Sequence, residues 1–107
     1  MLTLKVMADY GAQPLWLVGD PDRYNVAPSE LSISAELCLE LQAWADAYAA
    51  TLNAEDPAAS DFPSVEDEVQ FIAKGRELAG RVKEELGSGY RVLFVHAGAA
   101  GTVSEEI

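Results

Sequence analysis

The chain has 107 residues, half of them apolar, and 18 Asp and Glu against 7 Lys and Arg give a formal charge of -11 at pH 7. A chain of this length is one domain that buries about 65% of its unfolded surface, and its charge repels phosphate backbones and anionic membranes, which argues against direct nucleic-acid or membrane binding. One cysteine, Cys38, and one histidine, His96, leave no internal disulfide and no Cys/His metal cluster, so neither a metal nor a cofactor is expected.

In chain order, Leu2, Leu4 and Val6 alternate with Thr3, Lys5 and Met7, the period-2 pattern of a strand with one buried face. Asp9-Tyr10-Gly11 breaks the pattern, and Leu15-Trp16-Leu17-Val18 follows as a second short strand in a hairpin. Asp20-x-Asp22 with Asn25 has a calcium-loop flavour but lacks the glycine and distal Glu of such a loop, and reads as a turn. An irregular connection leads to Ser32 or Ser34 as a helix cap.

From Ser34 to about Leu52, the residues Leu37, Leu41, Trp44, Tyr48 and Leu52 fall on one narrow arc of a helix. Its other side presents Glu36, Glu40 and Asp46 among alanines. After an acidic loop from Asn53 to Pro63, Ser64-Val65-Glu66-Asp67 resembles a capping box that starts a second helix, with three carboxylates where the helix dipole is positive. Phe71, Ile72, Leu78, Ala79, Val82 and Leu86 share its apolar face with Gly75, a pattern that predicts close backbone approach near Gly75 and Ala79. Gly87 ends that helix, and Tyr90 to His96 reads as a central buried strand.

These elements predict a small α+β domain with a three-stranded sheet, in the order β-β-α-α-β, and two helices packed on one face. The core spans about 2–96, and 97–107 is expected to be a loose tail. The lack of any apolar run of about 18 residues suggests a soluble cytoplasmic protein.

The net charge is regional. Between Tyr24 and Ala73 there is no Lys or Arg, whereas ten carboxylates occur there, and the flanking segments sum to -1 and 0. A catalytic site would need a nucleophile with a base, and the chain offers only His96 at a strand end, Cys38 beside an apolar stripe without a neighbouring cation, and scattered serines. Gly98-Ala99-Ala100-Gly101 lacks the spacing of a phosphate loop. A buried, inert thiol and an ordinary packed histidine are the better readings, and no enzyme is expected. Carboxylates that meet lysines and arginines steer association and bind best when partly desolvated. The candidate partner-binding residues are therefore Glu36, Glu40, Asp46, Glu55, Asp56 and Asp61, with Tyr10 and Trp16 as possible aromatic anchors. In so small a domain Trp16 and Trp44 are both expected to pack on the core.

The segment Ala8-Asp9-Tyr10-Gly11-x-x-Pro14-Leu15-Trp16, with Leu41-x-x-Trp44-Ala45-x-x-Tyr48, Asp56-Pro57 and Phe62-Pro63-Ser64, resembles a family of small acidic bacterial proteins of unassigned function. In size, charge and arrangement the chain is also similar to immunity proteins of contact-dependent growth inhibition systems, which share no common signature from which residue roles could be carried over. That resemblance implies a non-catalytic inhibitor, monomeric in a 1:1 complex, that covers the basic active site of a cognate toxin domain, a nuclease for preference. The alternative is an adaptor or regulatory interaction module that uses its hairpin or sheet edge, with the acid serving only solubility.

Overall fold

In the computed structural model, which describes residues 2–19, 24–52, 62–98 and 101–107, the initial alternation becomes β1 (Leu2–Val6), with Leu4 and Val6 fully buried. β2 (Leu15–Val18) returns antiparallel and sets Leu17 beside Leu4 and Leu15 beside Val6, so the expected hairpin forms. The two-residue β3 (Asn25–Val26) pairs with β2. A 3-10 turn at Pro28–Glu30 then leads into α1 (Ala35–Ala49). Ser34 caps α1 by accepting from the Leu37 N–H, and Ser64 caps α2 (Val65–Leu86) by accepting from the Asp67 N–H. β4 (Tyr90–Gly98) lies parallel to β1 with Leu4 opposite Val92 and Val6 opposite Phe94. β5 (Gly101–Glu106) runs back antiparallel along β4.

Among the described residues the class is therefore α+β with two α-helices, but the sheet has five strands, not three, in the order β3-β2-β1-β4-β5. Both unexpected strands lie at the edges. Asn25–Val26 is too short for any periodicity to reveal it; instead the Asn25 side-chain amide donates to the carbonyls of Gln13 and Leu15 and its oxygen accepts from the Gln13 N–H. The segment expected as a loose tail supplies β5, whose Thr102, Val103 and Ser104 are all exposed and so carry no burial pattern. Ion pairs on both faces fasten it to the body, with Glu105 on Arg76 at 2.7 Å and Glu106 on Arg91 at 2.8 Å. The Asp20–Asp22 turn lies outside the described residues.

The helices form an antiparallel pair over one face of the sheet. The Ser34 N–H donates to the Glu85 carboxylate at 2.5 Å, so the start of α1 meets the end of α2. Leu37, Leu41 and Trp44 of α1 and Leu78, Ala79 and Val82 of α2 join Leu4, Leu15, Leu17, Val92 and Phe94 in one buried cluster. Full burial of each large aliphatic side chain contributes roughly 1.5–3 kcal/mol. The predicted stripe holds through Tyr48. Its last member, Leu52, lies beyond the helix end and is 45% exposed.

The two helices and the sheet come close together at Gly75. A Cβ built there would lie 2.5 Å from Cζ2 of Trp44 and 2.7 Å from Cε1 of Phe94. Trp44 thus occupies the space that any side chain at position 75 would need. Gly80, in the same helix, has nothing within 4 Å of its Cβ position.

The two glycines make a paired test. Gly75→Ala forces strain on two packed rings, which costs about 1–3 kcal/mol and outweighs the roughly 1 kcal/mol of helix propensity gained. Gly80→Ala gains that propensity without a clash. Urea unfolding is expected to show Gly75→Ala destabilised and Gly80→Ala stabilised, and equal effects at both positions would contradict the packing described.

Candidate functional site

Seven basic residues serve eighteen acidic ones in this chain, so where the cations sit decides which carboxylates remain unneutralised. Arg81 pairs with Glu40 and lies 3.8 Å from Glu36, and Lys74 reaches Glu40 at 3.2 Å and Glu77 at 3.6 Å. Hydrogen bonds from Arg81 first and Lys74 second hold the Glu40 carboxyl below its ordinary range. Arg76 binds Glu105 through two nitrogens, and Arg91 does the same to Glu106. Lys83 donates to the Tyr90 carbonyl at 2.5 Å. The cations of α2 thereby serve the start of α1 and the last strand.

The opposite end, where α1 finishes and α2 begins, is built on aromatic rings. Tyr10 stacks on Tyr48 at 4.7 Å, Tyr48 meets Phe71 at 5.6 Å and Phe62 at 6.2 Å, and Phe71 stacks on Trp44 at 4.7 Å. The Trp44 indole N–H donates to the Phe71 carbonyl at 3.0 Å, which satisfies its one polar atom. The Thr51 hydroxyl donates to the Tyr48 carbonyl, and its oxygen lies 2.7 Å from the Tyr10 hydroxyl. Burial first, and then Tyr10 and Asp9, push the Tyr48 phenol upward.

Hollows lie at this end of the molecule, two of them lined by these rings. A groove of about 840 Å³ between the helices has Ala43, Trp44, Ala47, Phe62 and Phe71 as its floor, with Glu40, Asp67 and Lys74 among its polar lining. A smaller hollow of about 240 Å³ shares Trp44, Phe62 and Phe71 and is lined by Asp9, Glu68 and His96. A third, of about 250 Å³, is lined by Asp9 and Asp46. Lys74, already tied to Glu40 and Glu77, is the one Lys or Arg among the described residues lining any of them.

The expected contact residues are placed unequally by this arrangement. Glu36 is exposed over 81% of its side chain. Glu40 is drawn into the Arg81 and Lys74 pair, and Asp46 accepts from the Gln42 amide at 3.2 Å. Glu55, Asp56 and Asp61 lie outside the described residues. Tyr10 belongs to the aromatic cluster rather than standing free. Trp16 is half-buried on the sheet face away from the helices, not in the core, and its indole N–H donates to the Met7 carbonyl at 3.0 Å. Cys38 is half-buried rather than buried. Asp9, Asp67 and Glu68 are the residues that sequence reasoning left out: the first passed as a turn residue, the others as helix N-terminal chemistry. No group of three or more His, Cys, Asp or Glu that could hold a metal occurs among the described residues, and no helix among them is long and apolar enough to cross a membrane.

His96 packs flat on Phe94 at 4.9 Å and its Nε2 lies 2.5 Å from Glu105, so its surroundings are those of a clamp on β5. Hydrogen bonds from Arg76, and then His96, depress the Glu105 carboxyl from 4.5 to about 2. A depressed folded-state value stabilises the fold above the unfolded value and loses that contribution as pH falls through the folded one. The stability gap between the native chain and Glu105→Gln should therefore be full above pH 4.5 and shrink to nothing near pH 2. Urea unfolding across that window measures it, and a gap that does not change with pH would contradict the assignment.

No curated protein matches the chain. A family model described as Serratia CdiI immunity protein-like matches residues 2–97. That span holds every element described above except β5 and the last residue of β4. On that match the chain belongs to this family of immunity proteins of contact-dependent growth inhibition.

Proposed function

We propose that this chain neutralises a cognate toxin domain by laying its acidic end over a basic surface of the toxin, and that the toxin is a nuclease. Family membership is the observation that carries the reading, because an immunity protein implies a toxin as its partner. The choice of surface rests on the distribution of charge: Asp9, Asp46, Asp67 and Glu68 line hollows in which Lys74 is the one described Lys or Arg. Nucleases carry basic surfaces because they hold phosphates. Glu40, tied to Arg81 and Lys74, contributes less than the sequence pattern suggests, and the contact shifts toward the end of α1 and the start of α2.

The apolar floor supplies what charge alone does not. Carboxylates steer encounter and raise association rates by about 10- to 1,000-fold, whereas residence depends on desolvated anchors near the centre of an interface. Phe62 and Phe71, with the low alanine wall of α1, offer such a centre. No chemistry is required of the protein in this role.

Stopped-flow association with the cognate toxin domain tests the reading. Raising salt from about 0.1 M to 1 M shortens the screening length from about 10 to 3 Å and should slow association at least tenfold. Asp46→Lys combined with Asp67→Lys should slow it at low salt, whereas Glu84→Lys, on the far end of α2, should not. An association rate indifferent to salt and to both substitutions would overturn the proposal.

A further inference from the structure

The smaller hollow, of about 240 Å³, sits where the chain after β1, the end of α1 and the start of α2 meet. Trp44, Tyr48 and Phe71 line it, and so do two carboxylates, Asp9 and Glu68. Among the described residues no Lys or Arg lines it, in contrast to the larger groove with its Lys74. His96 is at its wall, but the His96 Nε2 is engaged by Glu105 at 2.5 Å.

Glu68 is the anomaly of this hollow. Three acidic residues start α2, and the helix dipole favours all of them. Glu66 and Asp67 are exposed, whereas Glu68 is half-buried beside apolar rings, and its carboxylate makes no hydrogen bond or ion pair among the described residues. A carboxylate taken partly out of water costs stability unless a cation or a donor meets it. Asp9 adds a second acceptor: its Oδ1 accepts from the Tyr10 N–H at 2.8 Å, and its Oδ2 takes no bond among the described residues.

That combination selects the occupant. Aromatic rings attract a cation within about 6 Å of their centres, and carboxylates bind it best where water is partly excluded. A volume of about 240 Å³ is about eight times the share of one liquid water, room for one side chain of arginine length but not for a segment of polypeptide. A guanidinium fits better than an ammonium, because it is planar, weakly hydrated, stacks on rings and can reach two carboxylates through separate N–H groups. We propose that this hollow is a socket for one guanidinium side chain, which on the toxin reading is an arginine of the toxin's basic surface. The socket rests on that reading for the source of the side chain, not for its chemistry. Labour at the acidic end is then divided: dispersed carboxylates steer encounter, whereas Asp9, Glu68 and the rings hold the complex once formed.

Titration of the isotope-labelled chain alone with N-acetyl-arginine methylamide, followed by NMR, tests the socket without the toxin. The Trp44 indole N–H signal should move with a dissociation constant of about 10 mM, while that of Trp16, on the sheet face away from the helices, should not. The citrulline derivative, which has nearly the same shape without the charge, should bind at least about fivefold more weakly. Glu68→Gln should weaken the arginine probe by a similar factor with circular dichroism unchanged. Glu66→Gln, which removes the same charge from the same helix end without lining the hollow, should not. With the cognate toxin domain, Glu68→Gln should speed dissociation at least about tenfold and alter association far less. Equal binding of the two derivatives, a Trp44 signal that neither moves, or an arginine affinity unchanged by Glu68→Gln would overturn the proposal. Salt-dependent toxin association with dissociation unchanged by Glu68→Gln would leave the toxin reading standing and remove the socket. Salt-independent association with the arginine probe bound at Trp44 would do the reverse.

Discussion

Trp44 reaches the sheet because position 75 has no side chain. The indole lies over the Gly75 backbone, stacks at 4.7 Å on Phe71 and approaches Phe94 at 6.2 Å, so one side chain of α1 touches both α2 and β4. This contact sets how close the two helices come, and hence the depth of the groove between them. It also orders the rings at the acidic end, because Phe71 in turn positions Tyr48 and Phe62. A fold this small has no redundant core, and a methyl group placed at Gly75 would be felt at both the sheet and the groove.

Electrostatics divides the molecule in two. A net charge far from zero weakens a compact state through self-repulsion, and the chain offsets this locally, with Arg81 and Lys74 on Glu40, Arg76 on Glu105 and Arg91 on Glu106. These pairs fasten α1 to α2 and β5 to the body. Each is partly solvent-exposed and individually modest in effect, yet together they absorb most of the described cations. Near the end of α1 and the start of α2, Asp9, Asp46, Asp67 and Glu68 lie beside the apolar floor, and among the described residues Lys74 is the one Lys or Arg lining the hollows there. Such a conflict between local stability and composition is expected where a surface is kept for a partner.

The helices, their caps, the first hairpin and the tight contact at Gly75 were legible in the sequence because each rests on local chemistry: apolar spacing, Ser34 and Ser64 as caps, and a glycine within an apolar stripe. β5 was not legible. Its residues are exposed, and what holds them is side-chain pairing to Arg76 and Arg91, which are 29 and 15 positions away from their glutamates. For the same reason Glu40 looked like a free surface carboxylate, since its partner Arg81 lies 41 residues on. The acidic character of the site could be read from composition, but its location depended on where the few cations fold back, which no local pattern reports. Asp9 in particular joins the candidate site only because the chain after β1 brings it into the same hollow as Tyr48 and Glu68.

In the proposed mode of binding, a toxin meets the end of the molecule where the aromatic cluster coincides with Asp9, Asp46, Asp67 and Glu68. Amide hydrogen exchange on the chain alone and with saturating cognate toxin domain tests this most directly. Added protection is expected over 8–13, 43–52 and 62–72, with exchange in β2 and β5 unchanged. Protection confined to β5 or to the open sheet face, with those three segments unaffected, would contradict it.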